Sequence, residues 1–134
     1  MNPSITERLA RVGAVLFLLA LSGCARIEPV YNVQNHPLPA QAMNLRGTGI
    51  TDAVAEAAAA DGWQVERIAP GQLRATQTWR EHAAIVMITC TDSGFSIRND
   101  GSTNLLDNGG WIHKEYNKRV HKLESAIEQR LQRS

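Results

Sequence analysis

The chain has 134 residues, 43% of them hydrophobic, with 14 Lys and Arg against 13 Asp and Glu and only two cysteines. That length holds one small domain, and a formal net charge of +1 creates no long-range field that would gather nucleic acid. Two-domain enzymes and general DNA binders are excluded at this point.

Residues 1–11 are polar, with Arg8 and Arg11 against Glu7, and residues 12–21 carry no charge. A ten-residue helix rises about 15 Å, half of a ~30 Å hydrocarbon core, which predicts the apolar region of a signal peptide and not a membrane span. Leu21-Ser22-Gly23-Cys24 then resembles a bacterial lipobox. At such a motif the Cys thiol takes a diacylglycerol thioether, the peptide before it is cut, and the freed amine takes a third acyl chain. Small Ser22 and Gly23 let the peptidase reach the bond, and Leu21 fills the subsite before them. The resemblance implies that residues 1–23 are removed and that Cys24 carries lipid. At roughly 0.8 kcal/mol per buried CH₂, two or three acyl chains hold a protein on a membrane essentially permanently. Ala25 stands where an Asp commonly signals inner-membrane retention in Gram-negative lipoproteins. The expected location is therefore the outer membrane, on its periplasmic face.

Losing residues 1–23 removes Arg8, Arg11 and Glu7, so the mature chain balances 12 basic residues against 12 acidic ones. With Cys24 lipidated, Cys90 has no intrachain disulfide partner in an oxidising compartment. The apolar run Ile85-Val86-Met87-Ile88 before it predicts a small buried side chain rather than a reactive thiol.

Residues 26–47 contain three of the five prolines, Pro29, Pro37 and Pro39, and show no sustained period. Residues 24–47 are expected to be a lipidated tether; about 20 such residues have a root-mean-square span of order 25 Å. Val30-Tyr31-Asn32-Val33 and Met43-Asn44-Leu45 are short runs able to fold back, and His36 reads as a solvated loop residue. A periplasmic domain is expected over residues 48–134. Ile50, Val54, Ala57 and Ala58 share a helical face, Thr48 or Thr51 is available as a cap, and Asp61-Gly62 stops the helix. Strands are predicted over 63–68, 73–79 and 82–91, with turns at Ala69-Pro70-Gly71-Gln72 and Asp92-Ser93-Gly94, and a fourth strand carries Phe95, Ile97 and Asn99. After a polar loop over 100–110, a helix is predicted over 111–132. Its buried stripe is Ile112, Tyr116, Val120, Leu123, Ile127 and Leu131. The expected fold is α+β: a four-stranded antiparallel sheet with an N-terminal and a C-terminal helix on one face, in a two-layer sandwich. The third strand is apolar on both faces, so its second face needs cover from the N-terminal segment, from loops or from a partner.

No HExxH, CxxC, GxxxxGK or GxSxG is present, and a non-enzymatic protein without cofactor is expected. His113 and His121 are eight residues apart, about 12 Å along a helix, too far to share one metal ion. Asn99, Asp100, Ser102, Thr103, Asn104 and Asp107 concentrate oxygen ligands but lack the EF-hand order and its terminal Glu, which predicts a solvated loop. Trp63 and Trp111 are expected to cap a small core. The candidate contact surface is Trp79-Arg80 at a strand end together with Lys114, Lys118 and Lys122. That basic stripe could face anionic headgroups or an acidic partner at roughly 1 kcal/mol per charge, though Glu115, Glu124 and Glu128 dilute it.

Ser102-Thr103-Asn104-Leu105 and Ile112-His113-Lys114-Glu115-Tyr116-Asn117 are similar to segments of small proteobacterial lipoproteins. This resemblance spans about two thirds of the mature chain and implies a location and a compact α+β fold, with no activity attached. The element order is also similar to small modules in lipoproteins of the outer-membrane protein assembly machinery. The functional expectation is a membrane-anchored envelope lipoprotein whose periplasmic domain binds another envelope component, with no nucleic-acid partner. The alternatives are a module for a small apolar ligand or sugar, using Trp79 and Phe95, and an accessory subunit of an envelope enzyme or assembly complex.

Overall fold

The computed structural model describes residues 26–134, so the expected signal segment 1–23 and the expected lipid-bearing Cys24 lie outside the described residues. Two short strands open the described chain, β1 (Ile27–Pro29) and β2 (Val33–Pro37), followed by a 3-10 turn at Ala40–Ala42 and helix α1 (Thr48–Ala60). A meander follows: β3 (Gln64–Ala69), β4 (Gln72–Trp79), β5 (His82–Cys90) and β6 (Gly94–Asn99). The chain closes with β7 (Trp111–His113) and helix α2 (Lys114–Gln132).

The meander forms where alternation and turn chemistry place it. Leu73, Ile88 and Ile97 stand in one cross-strand row, and Ala75, Val86 and Asn99 in the next. Pro70-Gly71 closes the first hairpin with Gly71 at φ 72°, where any added Cβ would also sit 2.8 Å from the Cys90 carbonyl oxygen. Leu73, Ala75, Ala84, Val86, Ile88, Phe95 and Ile97 line the inner face and are buried with both helices in one core. Alanines let α1 lie close, with Ala53, Ala57 and Ala58 buried beside Ile50 and Val54. The stripe expected on α2 is buried as predicted, from Tyr116 through Leu131, and Ile112 is buried from β7.

The sheet has five strands and not four, in the order β2-β6-β5-β4-β3, and β1 and β7 form a separate two-stranded ribbon. The proline-rich segment is therefore folded from Ile27 onward, where the sequence predicts a tether. Its prolines do not prevent this because each stands where no ladder amide is required. Pro29 ends β1, Pro37 ends β2 on the sheet edge, and Pro39 precedes the 3-10 turn. Val33 pairs with Ile97 and His36 with Phe95; a register shift between them accompanies the positive φ of Asn35, 47°. Buried Val33, Leu38 and Ala42 supply the apolar contacts.

Polar pegs from α2 fix the rest of the segment. Asn117 Oδ1 accepts from the Tyr31 backbone N–H at 2.9 Å, and Asn117 Nδ2 donates to the Pro29 carbonyl at 2.9 Å and to Glu28 at 3.0 Å. The Tyr31 hydroxyl donates to Glu124 at 2.6 Å.

The apolar second face of β5 is not covered by this segment, which joins the sheet in its own plane. Met87 stands in register between Arg74 and Arg98, and it is only 8% exposed. Their long aliphatic stems screen it while the charged heads stay in water, and Arg74 pairs with Asp100 at 2.9 Å.

Removing the Asn117 side chain leaves the half-buried Tyr31 amide and the Pro29 carbonyl without this partner. Asn117→Ala is expected to lower the unfolding free energy by about 2–3 kcal/mol in a urea titration. A loss near zero would show that the N-terminal strands are held by something else.

Candidate functional site

Trp79 ends β4 and pairs with His82 across a two-residue turn whose first residue, Arg80, has φ 52°. The Arg119 guanidinium lies 3.6 Å from the Trp79 ring centroid, donates to Gln77 Oε1 at 2.7 Å, and keeps its buried Nε without a partner. A cation over an indole contributes about 0.5–2 kcal/mol, and here it covers one face of the ring expected to be a free contact. Gln77 Nε2 donates to the Asp61 carbonyl at 3.0 Å, and the Asp61 carboxylate takes Trp63 Nε1 at 3.1 Å and faces Lys122 at 3.5 Å.

The structure thus brings Trp79 and Lys122 together through Arg119 and Asp61. Lys118 faces Glu115 at 3.6 Å within α2. Lys114 stands apart at the start of α2, its N–H bonded to the Arg26 carbonyl at 3.0 Å. Sequence reasoning missed Arg119. Its only signal was a basic residue between the buried positions Tyr116 and Val120, with an aromatic strand end to receive it.

The histidines serve the fold. His36 is a strand residue and not a solvated loop residue: it lies 2.8 Å from Glu124 and stacks on Phe95. His82 Nδ1 lies 2.6 Å from the Asn104 carbonyl, and His113 Nδ1 accepts the Glu115 N–H at the start of α2. His121 stacks on Tyr31, whose bond to Glu124 pushes its phenol up to about 12. Among the described residues no group of three His, Cys, Asp or Glu side chains could hold a metal ion. The oxygen-rich loop spends its ligands on itself. Asn99 Nδ2 donates to Asp107 at 2.6 Å, Ser102 Oγ donates to Asn99 Oδ1 at 2.6 Å, and Ser102 Oγ accepts the Ile85 N–H at 3.0 Å.

A groove of about 680 Å³ opens between the start of α1 and the β3–β4 and β5–β6 turns, lined by Thr48, Ile50, Thr51, Ile68, Pro70 and Cys90 among others. The α1 N-cap is Gly47, at φ 58° and without a side-chain cap bond, where a threonine cap is expected. No aromatic side chain lines this groove. Phe95 is buried against His36, and Trp79 is at the opposite end of the sheet, so the two aromatics proposed for a ligand site do not meet. Burial pushes the Cys90 thiol up from 9.0 to about 11, opposed by a bond to Thr51. Cys90 packs against the core but is only half-buried in the groove wall, where the apolar run before it predicts a buried side chain.

A second exposed surface lies at the other end of the molecule. Ile27 pairs with His113 and Pro29 with Trp111, so these four side chains share the outer face of the ribbon. Trp111 is 48% exposed, Ile27 38% and nearby Leu106 62%. Trp111 therefore does not cap the core; strand alternation turns it outward and gives the interior to Ile112.

Comparison of the chain with protein-family models, curated proteins and solved structures found no match.

At pH 8 a thiol raised from 9.0 to about 11 holds about 100-fold less thiolate. Because the more basic thiolate is also the better nucleophile, iodoacetamide is expected to alkylate Cys90 roughly 10-fold more slowly in the native protein than in urea, and equal rates would contradict its burial. The folded state favours the protonated thiol, so its stabilising contribution is complete below pH 9 and is lost as pH rises towards 11.

Proposed function

We propose that the protein is a non-enzymatic lipoprotein of the outer membrane whose periplasmic domain binds another envelope component. The observation that carries this reading is a charged segment, a short apolar segment and the lipobox Leu21-Ser22-Gly23-Cys24 in that order, with a folded domain beginning three residues later at Ile27. Among the described residues no helix is long and apolar enough to cross a membrane, so acyl chains on Cys24 would supply the attachment.

Two surfaces at different ends of the domain divide the work. β5 runs from His82, beside the Trp79 corner, to Cys90 in the groove wall. The ribbon belongs to the His82 end, because Ala83 bridges Thr103 and the Leu105 carbonyl then accepts the His113 N–H. The chain leaves towards Cys24 from that end, and the groove stands at the other, facing away from the anchor. Its apolar wall of Ile50, Ile68 and Cys90, with Arg67 and Asp92 at the rim, suits an apolar side chain of a partner ringed by polar contacts. A small apolar ligand in the same groove is the second reading, favoured by its volume, which falls within the ~300–1,000 Å³ of small-molecule sites.

Labelling with palmitate is expected to mark the native protein and not Cys24→Ala, which should move from the membrane to the soluble periplasmic fraction. A photocrosslinker placed at Ile68 in intact envelopes is expected to give one discrete protein adduct, absent when it is placed at Arg98 on the outer sheet face. Loss of palmitate from the native protein contradicts the anchor. Adducts at neither position contradict the groove as the protein-binding surface.

A further inference from the structure

We propose that the outer face of the β1–β7 ribbon seats on the headgroup surface of the bilayer, with Ile27, Trp111 and Leu106 entering the interface. This inference rests on the lipid anchor at Cys24 described above.

Chain length sets the first constraint. Three residues carry the chain from Cys24 to Ile27, and a fully extended chain advances at most about 3.6 Å per residue, so the two α-carbons lie within about 11 Å of each other. Acyl chains on Cys24 hold that residue at the membrane surface. A gap of 11 Å is about the diameter of one helix with its side chains, too small for a folded partner domain between ribbon and lipid. The tether of order 25 Å expected from composition would have left room for one.

Strand pairing decides which face turns to the lipid. Ile112 and Glu28 share the opposite face, Ile112 in the core and Glu28, itself exposed, bonded to Asn117. Ile27, Pro29, Trp111 and His113 point outward. Leu106 lies one residue beyond the Leu105 carbonyl that bonds the other edge of β7, and its φ of 57° holds an exposed leucine in a left-handed conformation that branched side chains rarely adopt. Tryptophan at an edge of an apolar patch suits the membrane–water boundary, where the ring is buried and the indole N–H stays wet.

Two cations flank the apolar face. Arg26 and Lys114 are exposed beside the ribbon, joined through their backbones. Carboxylates lie close as well: Glu28 and Asp107 bond the neutral amides of Asn117 and Asn99 and keep their charge, and Glu115 pairs with Lys118. Cations next to an apolar face are attracted to anionic lipid within a Debye length. The groove lies at the other end of β5 from the ribbon, and the nine residues of that strand at about 3.3 Å each span about 30 Å.

The test uses the mature lipidated protein in vesicles of phosphatidylethanolamine and phosphatidylglycerol that contain lipids brominated near the headgroup. Trp63 is buried and Trp79 is covered by Arg119, so Trp111 is the tryptophan placed to meet bromine. The native protein is expected to be quenched, and Trp111→Phe to lose nearly all of that quenching. A second variant, Leu106→Ser, changes an exposed side chain and is expected to weaken quenching with Trp111 still present. Equal quenching in native and Trp111→Phe proteins, with acyl mass confirmed on Cys24, overturns the seating and leaves the anchor standing. Absence of acyl mass on Cys24 overturns the anchor and the seating together.

Discussion

The side chain of Asn117, in the first turn of α2, decides how far the domain extends towards its N-terminus. One residue accepts the Tyr31 amide and donates to the Pro29 carbonyl and to Glu28 across a separation of nearly ninety positions. The crossover from β1 to β2 has no ladder of its own at these groups, and buried backbone groups without partners are costly. With Asn117 in place, β2 can pair with β6, β1 can pair with β7, and the chain is ordered from Ile27 onward.

The parts of this fold that repeat were legible in the sequence. Alternation over residues 73–79 and 95–99, the Pro70-Gly71 turn and the stripe from Tyr116 to Leu131 each involve several residues at a fixed period, and each is found where the period places it. The strands of three and five residues at the N-terminus offer too few positions for a period to register. Their prolines argued for a loop, and the groups that hold them are single polar side chains on a distant helix. His36 shows the same limit: read alone it is a polar residue in a proline-rich segment, yet Glu124 and Phe95 fix it from two other elements.

The candidate sites divide along the same line. Cys90 was readable as a packing residue because its neighbours in sequence are its neighbours on the strand. Trp79 was readable as a strand end, but not the Arg119 that lies on it, since that contact joins β4 to α2. Trp111 was misplaced because a helix was predicted from that position. As a strand, residues 111–113 alternate, so Ile112 alone enters the core and the indole faces out. The groove at the start of α1 was invisible, being assembled from two turns and a helix end that share no motif.

With the domain closed at Ile27, the proposed lipid on Cys24 would sit three residues from it and leave it little freedom to depart from the surface that holds it. The most direct test is amide hydrogen exchange in the lipidated protein, read at Val30 and Tyr31. Their N–H groups bond the Gly110 carbonyl and Asn117 Oδ1. The account predicts protection at both comparable to that of Lys114, whose amide closes on Arg26. Exchange of Val30 and Tyr31 at the rate of an unstructured chain, with β4 to β6 still protected, would restore the flexible tether and contradict the account.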